Sequence, residues 1–406
     1  MSKKEEQFTS NQTSFLPKNL FLRYTLYMKK IKMGVVGCGG MGQAHIINIK
    51  ELPEAQLTVV SDADPETAKK VGTENNVPYF SDYHKLIKSG LCDAILIATP
   101  HYFHHEIGIA AFKSGLHVLS EKPITVTVAA ADAFLAAAKK SRKVFGVMFQ
   151  QRTLPEIRLA REIIKSGRLG EIKRTLMVNP QYRSQAYYNS AGWRGTWLGE
   201  GGGVLLNQSP HGIDLFMLLA GLPSRIIAKT RTRMHKIEVE DEATALLEYK
   251  NGAWGYYYTT TCEAPSATLM EISGDCGKLV LDNAGLKFYS VKPSISKHNT
   301  TAKDMWGGPE VKEEKLNLPK AKTGHKEIVR NFCAAILGRE KLIAPGAEGL
   351  WSVEFINALI LSGEKGKPVD IPVNRKEYDK LLNKLKKKSK AKKVKKIERT
   401  TDPRIK

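Results

Sequence analysis

Six residues near the start of the chain have the types and spacing that bind phosphate. Gly37-Cys38-Gly39-Gly40-Met41-Gly42 follows an apolar run and opens a helical pattern. In such a G-x-G-x-x-G motif, Gly37 makes the tight turn, Gly39 lets the backbone approach a pyrophosphate, and Gly42 allows close packing of helix and strand. The free N–H groups at the helix start, around Gly40 and Met41, favour an anion. The motif therefore predicts a dinucleotide site.

A carboxylate lies where the ribose of that dinucleotide should be. Asp62 ends the second apolar run, twenty residues after Gly42. It can accept hydrogen bonds from ribose hydroxyls and would repel a 2′-phosphate, and the residues that follow it offer no arginine to pair one. Asp62 therefore favours NAD over NADP as the cofactor.

The loop after the predicted strand Ala94–Ala98 contains Thr99, Pro100, His101 and His104. Ligands bind beyond the carboxyl ends of strands in open α/β sheets, so this loop should line the nicotinamide side. The H-x-x-H-H pattern has no further acid or cysteine in support, so we expect no metal site.

Two further motifs could handle a proton. Glu121-Lys122-Pro123 follows the predicted strand Val118–Leu119, and Asn207 and His211 are four residues apart after a glycine-rich turn. On a helix that spacing puts an amide and an imidazole on one face. Oxidation of a secondary alcohol needs a base for the hydroxyl proton, and an imidazole titrates near neutral pH. A lysine ammonium can stabilise alkoxide character as it develops.

Taken together, these motifs resemble the glucose–fructose oxidoreductase / inositol dehydrogenase (Gfo/Idh/MocA) family over roughly residues 31–373. The resemblance implies a Rossmann domain followed by a mainly antiparallel sheet domain, with E-K-P between cofactor and substrate. It implies His211 as the base and Lys122 as proton relay or electrostatic stabiliser, although swapped roles stay open, and it makes Glu121 and Lys122 cofactor contacts. Related members often have Asp where this chain has Asn207, and an amide can orient a hydroxyl but cannot act as a base.

Aromatic and arginine side chains alternate in a segment that could bind a sugar. Sugars present apolar faces to aromatic rings and hydroxyl groups to arginine, and plain packing or a dimer contact is the alternative. The candidate substrate residues are Arg152, Tyr182, Trp193, Arg194, Trp197 and Asn207.

The predicted function is an NAD-dependent dehydrogenase or reductase of a secondary alcohol in a sugar, glycoside or cyclitol. One alternative is a redox-neutral hydrolase or lyase that oxidises a sugar carbon only transiently. The other is a non-catalytic sensor of nicotinamide nucleotides, which would have no need of Lys122 and His211 together.

The elements that must position these residues alternate between strand and helix from Ile31 onward, as in a doubly wound parallel sheet. The fold class is therefore α/β, with an N-terminal Rossmann domain and a second α+β domain containing a large, mainly antiparallel sheet. Asn251-Gly252 between two apolar runs predicts a hairpin there. The predicted segments are an N-terminal extension (1–30), an NAD-binding domain (31–150), a substrate-binding and oligomerisation domain (151–373) and a lysine-rich tail (374–406).

The amino-acid composition of the chain limits the kinds of molecule to which it can bind. The net charge is +22, but residues 375–406 contribute 15 Lys/Arg against 4 Asp/Glu, which is +11. We expect this tail to be solvated, so nucleic-acid binding is not expected. The 5 cysteines form no C-x-x-C pair, and no apolar run spans a membrane. We expect a cytoplasmic homodimer or homotetramer that acts on a small sugar or polyol.

Overall fold

The computed structural model describes residues 30–390 of the chain. The predicted N-terminal extension, apart from Lys30, and the predicted tail beyond 390 lie outside these residues. Within them the chain forms two sheets with helices packed against them. No helix in the described range is long and apolar enough to cross a membrane. All five cysteines lie in this range, and they are free thiols.

Six parallel strands of the described chain form the first sheet, in the order β3-β2-β1-β4-β5-β6. The strands are β1 (Ile31–Val36), β2 (Ala55–Ser61), β3 (Tyr79–Phe80), β4 (Ala94–Ile97), β5 (His117–Ser120) and β6 (Phe145–Val147). The intervening helices are α1 (Gly40–Lys50), α2 (Pro65–Asn75), α3 (Tyr83–Lys88), α4 (His104–Lys113) and α5 (Val128–Ser141). This strand order is that of a dinucleotide-binding sheet, so the Rossmann prediction is confirmed. The two-residue strand β3 was not predicted.

Nine strands form the second sheet, in the order β14-β13-β12-β11-β7-β10-β9-β8-β15. They are β7 (Ile172–Pro180), β8 (Arg225–Arg231), β9 (Glu242–Glu248), β10 (Trp254–Thr260), β11 (Leu269–Gly274), β12 (Gly277–Asp282), β13 (Gly285–Lys292), β14 (Glu310–Glu313) and β15 (Val369–Asp370). All neighbours are antiparallel except β7 and β10, which confirms the predicted sheet type. Asn251-Gly252 joins β9 to β10 as expected, with Gly252 at φ +83°. The central strand β7 was not predicted.

One face of the second sheet is covered and the other is open. The helices of this half are α6 (Pro155–Lys165), α7 (Gln185–Asn189), α8 (Pro210–Ala220), α9 (Ile295–Thr301), α10 (His325–Ile336), α11 (Gly349–Lys365) and α12 (Arg375–Lys388). Helices α6, α8 and α11 pack on the covered face. Helix α10 instead packs against α1 of the first domain, although it falls in the segment assigned to the second.

The expectation of a solvated tail is wrong for its first part. Residues Arg375–Lys388 form α12, and Asn374 caps the helix by accepting a hydrogen bond from the N–H of Glu377 at 3.1 Å. Tyr378 and Leu382 are buried. They recur at helical spacing among the lysines, so the helix buries one apolar face while its charges stay in water. The net charge of the segment gave no indication of this spacing of apolar residues.

Candidate functional site

The three glycines of the motif in the turn after β1 differ in the space around them. A Cβ on Gly37, at φ +96°, would lie 2.6 Å from the carbonyl oxygen of Ala98, and one on Gly42 would lie 1.8 Å from that of Gly37. A Cβ on Gly39 would meet nothing within 4 Å. Gly37 and Gly42 are therefore required by the fold, whereas Gly39 opens space beside the N-terminus of α1. This geometry fits the predicted roles of the three glycines in holding a dinucleotide.

Asp62 lies beside this turn at the end of β2. Its carboxylate accepts hydrogen bonds from the N–H of Cys38 at 2.7 Å and from the N–H of Asp64 at 2.9 Å. The side chain is only half-buried, and a carboxylate has further acceptor capacity. Asp62 is thus fixed beside the glycine turn, and its contact with a ribose stays a prediction.

His104 does not line an open cofactor site as predicted. Its side chain is buried, with Nδ1 2.8 Å from the carbonyl oxygen of Pro123 and Nε2 2.7 Å from that of Thr99. Burial lowers the pKa of His104, while the two carbonyl groups act in the opposite direction. His104 therefore joins the loops that follow β4 and β5. The cofactor contacts of Thr99, Pro100 and His101 stay predictions.

Glu121 is a buried carboxylate bonded to the first helix. One oxygen lies 2.7 Å from Nε2 of His45 on α1, and the other accepts the N–H of Lys122 at 3.1 Å. Burial would raise the pKa of Glu121, but the hydrogen bond and charge of His45, with Lys122 and His325, lower it to about 2. Glu121 is therefore ionised and fixes the backbone from which Lys122 projects. Its contact with the cofactor stays a prediction.

Lys122 reaches from the first domain into the second. Its Nζ donates a hydrogen bond to the backbone carbonyl of Asn207 at 3.1 Å. Burial is the main cause that lowers the pKa of Lys122; Arg183 and Arg194 lower it further, while Glu121 and Glu200 act in the opposite direction. A half-buried lysine whose pKa is lowered can exchange a proton more readily than a lysine exposed on the surface.

Asn207 and His211 do not share a helix as predicted. Helix α8 starts at Pro210, and Asn207 lies in the preceding turn, where its N–H donates to the carbonyl of Gly203 at 3.0 Å. Proline is favoured in the first helical turn, so Pro210 starts the helix after Asn207. The Asn207 amide donates to Glu200, and its backbone carbonyl accepts from Lys122. Asn207 therefore contacts Lys122 through its backbone carbonyl and not through its side chain.

His211 lies in the first turn of α8. Its Nε2 is 3.3 Å from the amide nitrogen of Gln150, and its buried Nδ1 has no hydrogen-bond partner among residues 30–390. Burial lowers the pKa of His211 to about 3, with a further contribution from Lys122. The imidazole is therefore neutral across ordinary pH, which corrects the expectation of titration near neutrality. An unpartnered buried nitrogen is where a polar group of a ligand would bind.

The side chains of two candidate substrate residues are hydrogen-bonded to other parts of the protein. Arg152 is buried and donates to both carboxylate oxygens of Asp214, at 2.8 and 2.6 Å, and also to Glu348. The buried indole of Trp197 donates to the carbonyl of Glu238 at 3.0 Å. Their contact with a substrate stays a prediction, although these polar groups are already hydrogen-bonded within the protein. A sequence cannot show that a distant carboxylate or carbonyl already satisfies a side chain.

Two of the other candidates, Trp193 and Arg194, belong to an aromatic cluster with His101 and Tyr187. Tyr182 is exposed, and the half-buried Trp193 places its ring 6.0 Å from that of His101. Arg194 lies over the ring of Trp193 at 4.5 Å and over that of Tyr187 at 4.2 Å. Their contact with a substrate stays a prediction.

Sequence reasoning missed several polar residues that the fold brings to this site. None belongs to a motif with a fixed spacing, although inward-facing His45, three residues after Gly42, gave a weak signal. The missed residues are His45, Tyr187, Glu200, Gln208 and His325.

The fold and this site define an oxidoreductase with an NAD-binding Rossmann domain. Residues 31–149 match the family described as an oxidoreductase family with an NAD-binding Rossmann fold, and residues 157–280 match the Gfo/Idh/MocA C-terminal domain. The chain belongs to the Gfo/Idh/MocA family.

Curated relatives and solved structures agree with this membership. Levoglucosan dehydrogenase from Pseudarthrobacter phenanthrenivorans is 27% identical over 263 residues, which cover 56% of this chain and 67% of that protein. The 1,5-anhydro-D-fructose reductase of Ensifer adhaerens is 23% identical and covers 84% of this chain and 98% of its own. The WlbA dehydrogenase of Bordetella pertussis, solved with NADH and UDP-GlcNAcA, has a TM-score of 0.72 at 27% identity, covering 85% of this chain and 100% of its own.

Proposed function

We propose that this protein is an NAD-dependent dehydrogenase or reductase that acts on a secondary alcohol of a sugar, glycoside or cyclitol. The observation that carries the proposal is the pair Lys122 and His211, which come from different domains, are both half-buried and interact electrostatically. The relatives named for levoglucosan and 1,5-anhydro-D-fructose support a substrate of this class.

Each residue of the pair has a separate task. When bound, NAD supplies an acceptor for the hydride that leaves the carbinol carbon. Neutral His211 takes the hydroxyl proton on the ring nitrogen that carries no hydrogen in its tautomer. The Lys122 ammonium stabilises negative charge on the same oxygen, and its bond to the Asn207 carbonyl fixes its direction. Tyr182, Trp193 and Arg194 hold the remainder of the substrate.

The test is a panel of sugars, polyols and glycosides incubated with NAD. NADH formation measured by absorbance, together with a ketone product, supports the proposal. Cleavage or elimination without net NADH would instead identify the redox-neutral alternative. Binding of the nucleotide with no change in any compound would favour the sensor.

We also propose that copies of the chain associate through the open face of the second sheet. Ile227 on β8 pairs in register with Leu246 on β9, which pairs with Tyr256 on β10. All three side chains are exposed, with Leu246 at 50%. A contiguous exposed apolar row of this kind is typical of a protein–protein interface, which supports a dimer or tetramer.

A further inference from the structure

A buried histidine joins the first helix to the segment that carries Lys122. His45 lies on α1, three residues after Gly42, and its side chain is fully buried. It shares one face of the helix with Ile46 and Ile49, which are also buried. An imidazole in apolar surroundings is costly unless it is hydrogen-bonded, so the partner of this imidazole is informative.

The partner of His45 is Glu121. Nε2 of His45 lies 2.7 Å from one carboxylate oxygen of Glu121. An ionised carboxylate only accepts hydrogen bonds, so Nε2 carries the hydrogen and donates it. Nδ1 of His45 is buried and has no hydrogen-bond partner among residues 30–390. Within that range the imidazole is therefore hydrogen-bonded through one nitrogen only.

Glu121 passes this constraint to Lys122. Its other carboxylate oxygen accepts the backbone N–H of Lys122 at 3.1 Å, and Nζ of Lys122 donates to the carbonyl of Asn207 at 3.1 Å. The lysine is thus held at its backbone by the first domain and at its ammonium by the second. Helix α1 begins in the glycine turn of the NAD-binding domain, so the position of Lys122 is tied to the helix at which the dinucleotide binds.

The same contacts determine the charge beside Lys122. Burial raises the pKa of Glu121, and the hydrogen bond from His45 is the largest of the effects that lower it, to about 2. Burial lowers the pKa of Lys122, and the Glu121 carboxylate is the largest of the effects that raise it. Loss of the Glu121 charge would therefore lower the pKa of Lys122 further. The other titratable groups that interact electrostatically with Lys122 are Arg183, Arg194 and Glu200 in the second domain, and His101, His104, His211 and His325.

We infer that His45 is a positioning residue for the proposed reaction: it holds Glu121, and Glu121 holds Lys122 where its ammonium acts on the substrate hydroxyl. The inference rests on the proposed function. His45 is fully buried, so it acts through Glu121 and takes no proton from the substrate itself. A histidine needed only for packing could be replaced by any side chain of similar size. One needed for this hydrogen bond can be replaced only by another donor.

The test compares His45→Gln with His45→Met in the full-length protein. Both replacements are of similar length and are good helix formers, but only glutamine ends in N–H groups that can replace Nε2. With the most active compound of the sugar panel, His45→Met should lower kcat by about 10- to 100-fold, the scale expected when a catalytic group is misplaced. The ratio kcat/KM should fall equally, because the lost interaction acts on the transition state. His45→Gln should recover most of kcat, and the control His84→Gln, at an exposed position on α3, should match the wild type.

A second measurement observes Lys122 without turnover. Acetylation by acetic anhydride at a series of pH values, followed by mass spectrometry, gives the midpoint at which the amine of Lys122 becomes reactive. Glu121→Gln should move this midpoint to lower pH by about one unit, the usual effect of losing one opposite charge at close range. His45→Met should move it in the same direction, and His45→Gln should leave it in place.

Three results would overturn the inference. They are an unchanged kcat in His45→Met, an equal loss of kcat in His45→Met and His45→Gln, and a Lys122 midpoint that moves in neither Glu121→Gln nor His45→Met. Each would make His45 a packed core histidine. If His45→Met fails to fold, as judged by thermal unfolding, His45→Asn takes its place, because its shorter amide does not reach Glu121.

The two measurements separate this inference from the proposed function. Turnover by the wild type with no loss in His45→Met retains the function and removes the positioning role. If no compound in the panel is oxidised, the proposed function fails, and the acetylation midpoints alone decide whether His45 acts on Lys122 through Glu121.

Discussion

The end of α12 should stabilise the loop that carries the aromatic cluster. The hydroxyl of Ser389 donates to the carboxylate of Glu238 and accepts the N–H of Leu198 at 3.2 Å, while the N–H of Lys390 donates to Glu238 at 2.7 Å. Glu238 in turn accepts the N–H of Trp197 at 3.3 Å. A chain that ends after Lys388 loses the first three bonds, whereas one that ends after Lys390 keeps them.

The expected cost follows from these contacts. A hydrogen bond to a charged group contributes about 1.5–3 kcal/mol, and one between neutral groups about 1 kcal/mol. Lys390 is exposed, so solvent replaces part of what is lost. We expect truncation after Lys388 to lower the free energy of unfolding by about 2 kcal/mol. Because Trp197 and Glu200 belong to the same loop, kcat/KM should fall by roughly 3- to 10-fold.

Urea denaturation and steady-state kinetics of both truncated chains measure this effect. Ser389→Ala in the full-length protein should show about half of the stability loss, because it removes the hydroxyl and leaves the Lys390 N–H in place. Equal unfolding midpoints for the two truncated chains would refute the reasoning. The C-terminal contacts would then contribute nothing measurable.

Four further predictions concern the cofactor, the reaction, pH and assembly. Titration should show NAD binding more tightly than NADP, and Asp62→Ser should narrow the difference because a carboxylate repels a 2′-phosphate. Lys122→Ala and His211→Ala should each lower kcat by about 10²–10⁴, and the double variant should be only slightly worse, because the two groups act as a unit. The pKa of His211 in the folded protein, about 3, lies below its ordinary value of 6.5, so the unfolded state binds more protons between these values. Acidification from pH 6.5 should therefore lower the free energy of unfolding, and His211→Asn should remove up to about 1.4 kcal/mol per pH unit of that slope in urea titrations. Leu246→Glu should convert a dimer or tetramer into a monomer in light scattering, since it buries a charge in the proposed interface.

Each of these predictions has an outcome that contradicts it. NADP binding as tightly as NAD removes the assigned role of Asp62. Near-normal turnover of His211→Ala would make that residue a packed core histidine. An unchanged pH slope in His211→Asn would mean that the folded imidazole titrates at its ordinary pKa. A wild-type monomer at micromolar concentration would contradict the assembly proposal. Leu246→Glu on β9 is compared with Lys229→Glu on the neighbouring strand β8.

The sequence alone determined the architecture and the family. Local patterns were sufficient because the glycine turn, the apolar strands and the Asn251-Gly252 hairpin depend on residues close together in the chain. The same was true of Asp62, whose place at the end of β2 follows from its distance to Gly42. Strand β7 was not predicted because the strands that pair with its two edges, β10 and β11, are distant in the sequence.

Only the tertiary structure decided which polar side chains are available to a ligand. Arg152 and Arg183 are indistinguishable as residue types, but Asp214 neutralises the first and Tyr187 stacks on the second. The ring nitrogens of His104 contact two carbonyl groups, whereas the buried Nδ1 of the half-buried His211 has no hydrogen-bond partner among residues 30–390. The physical reason is that hydrogen bonding and desolvation depend on neighbours brought together by folding, and these neighbours leave no pattern along the chain.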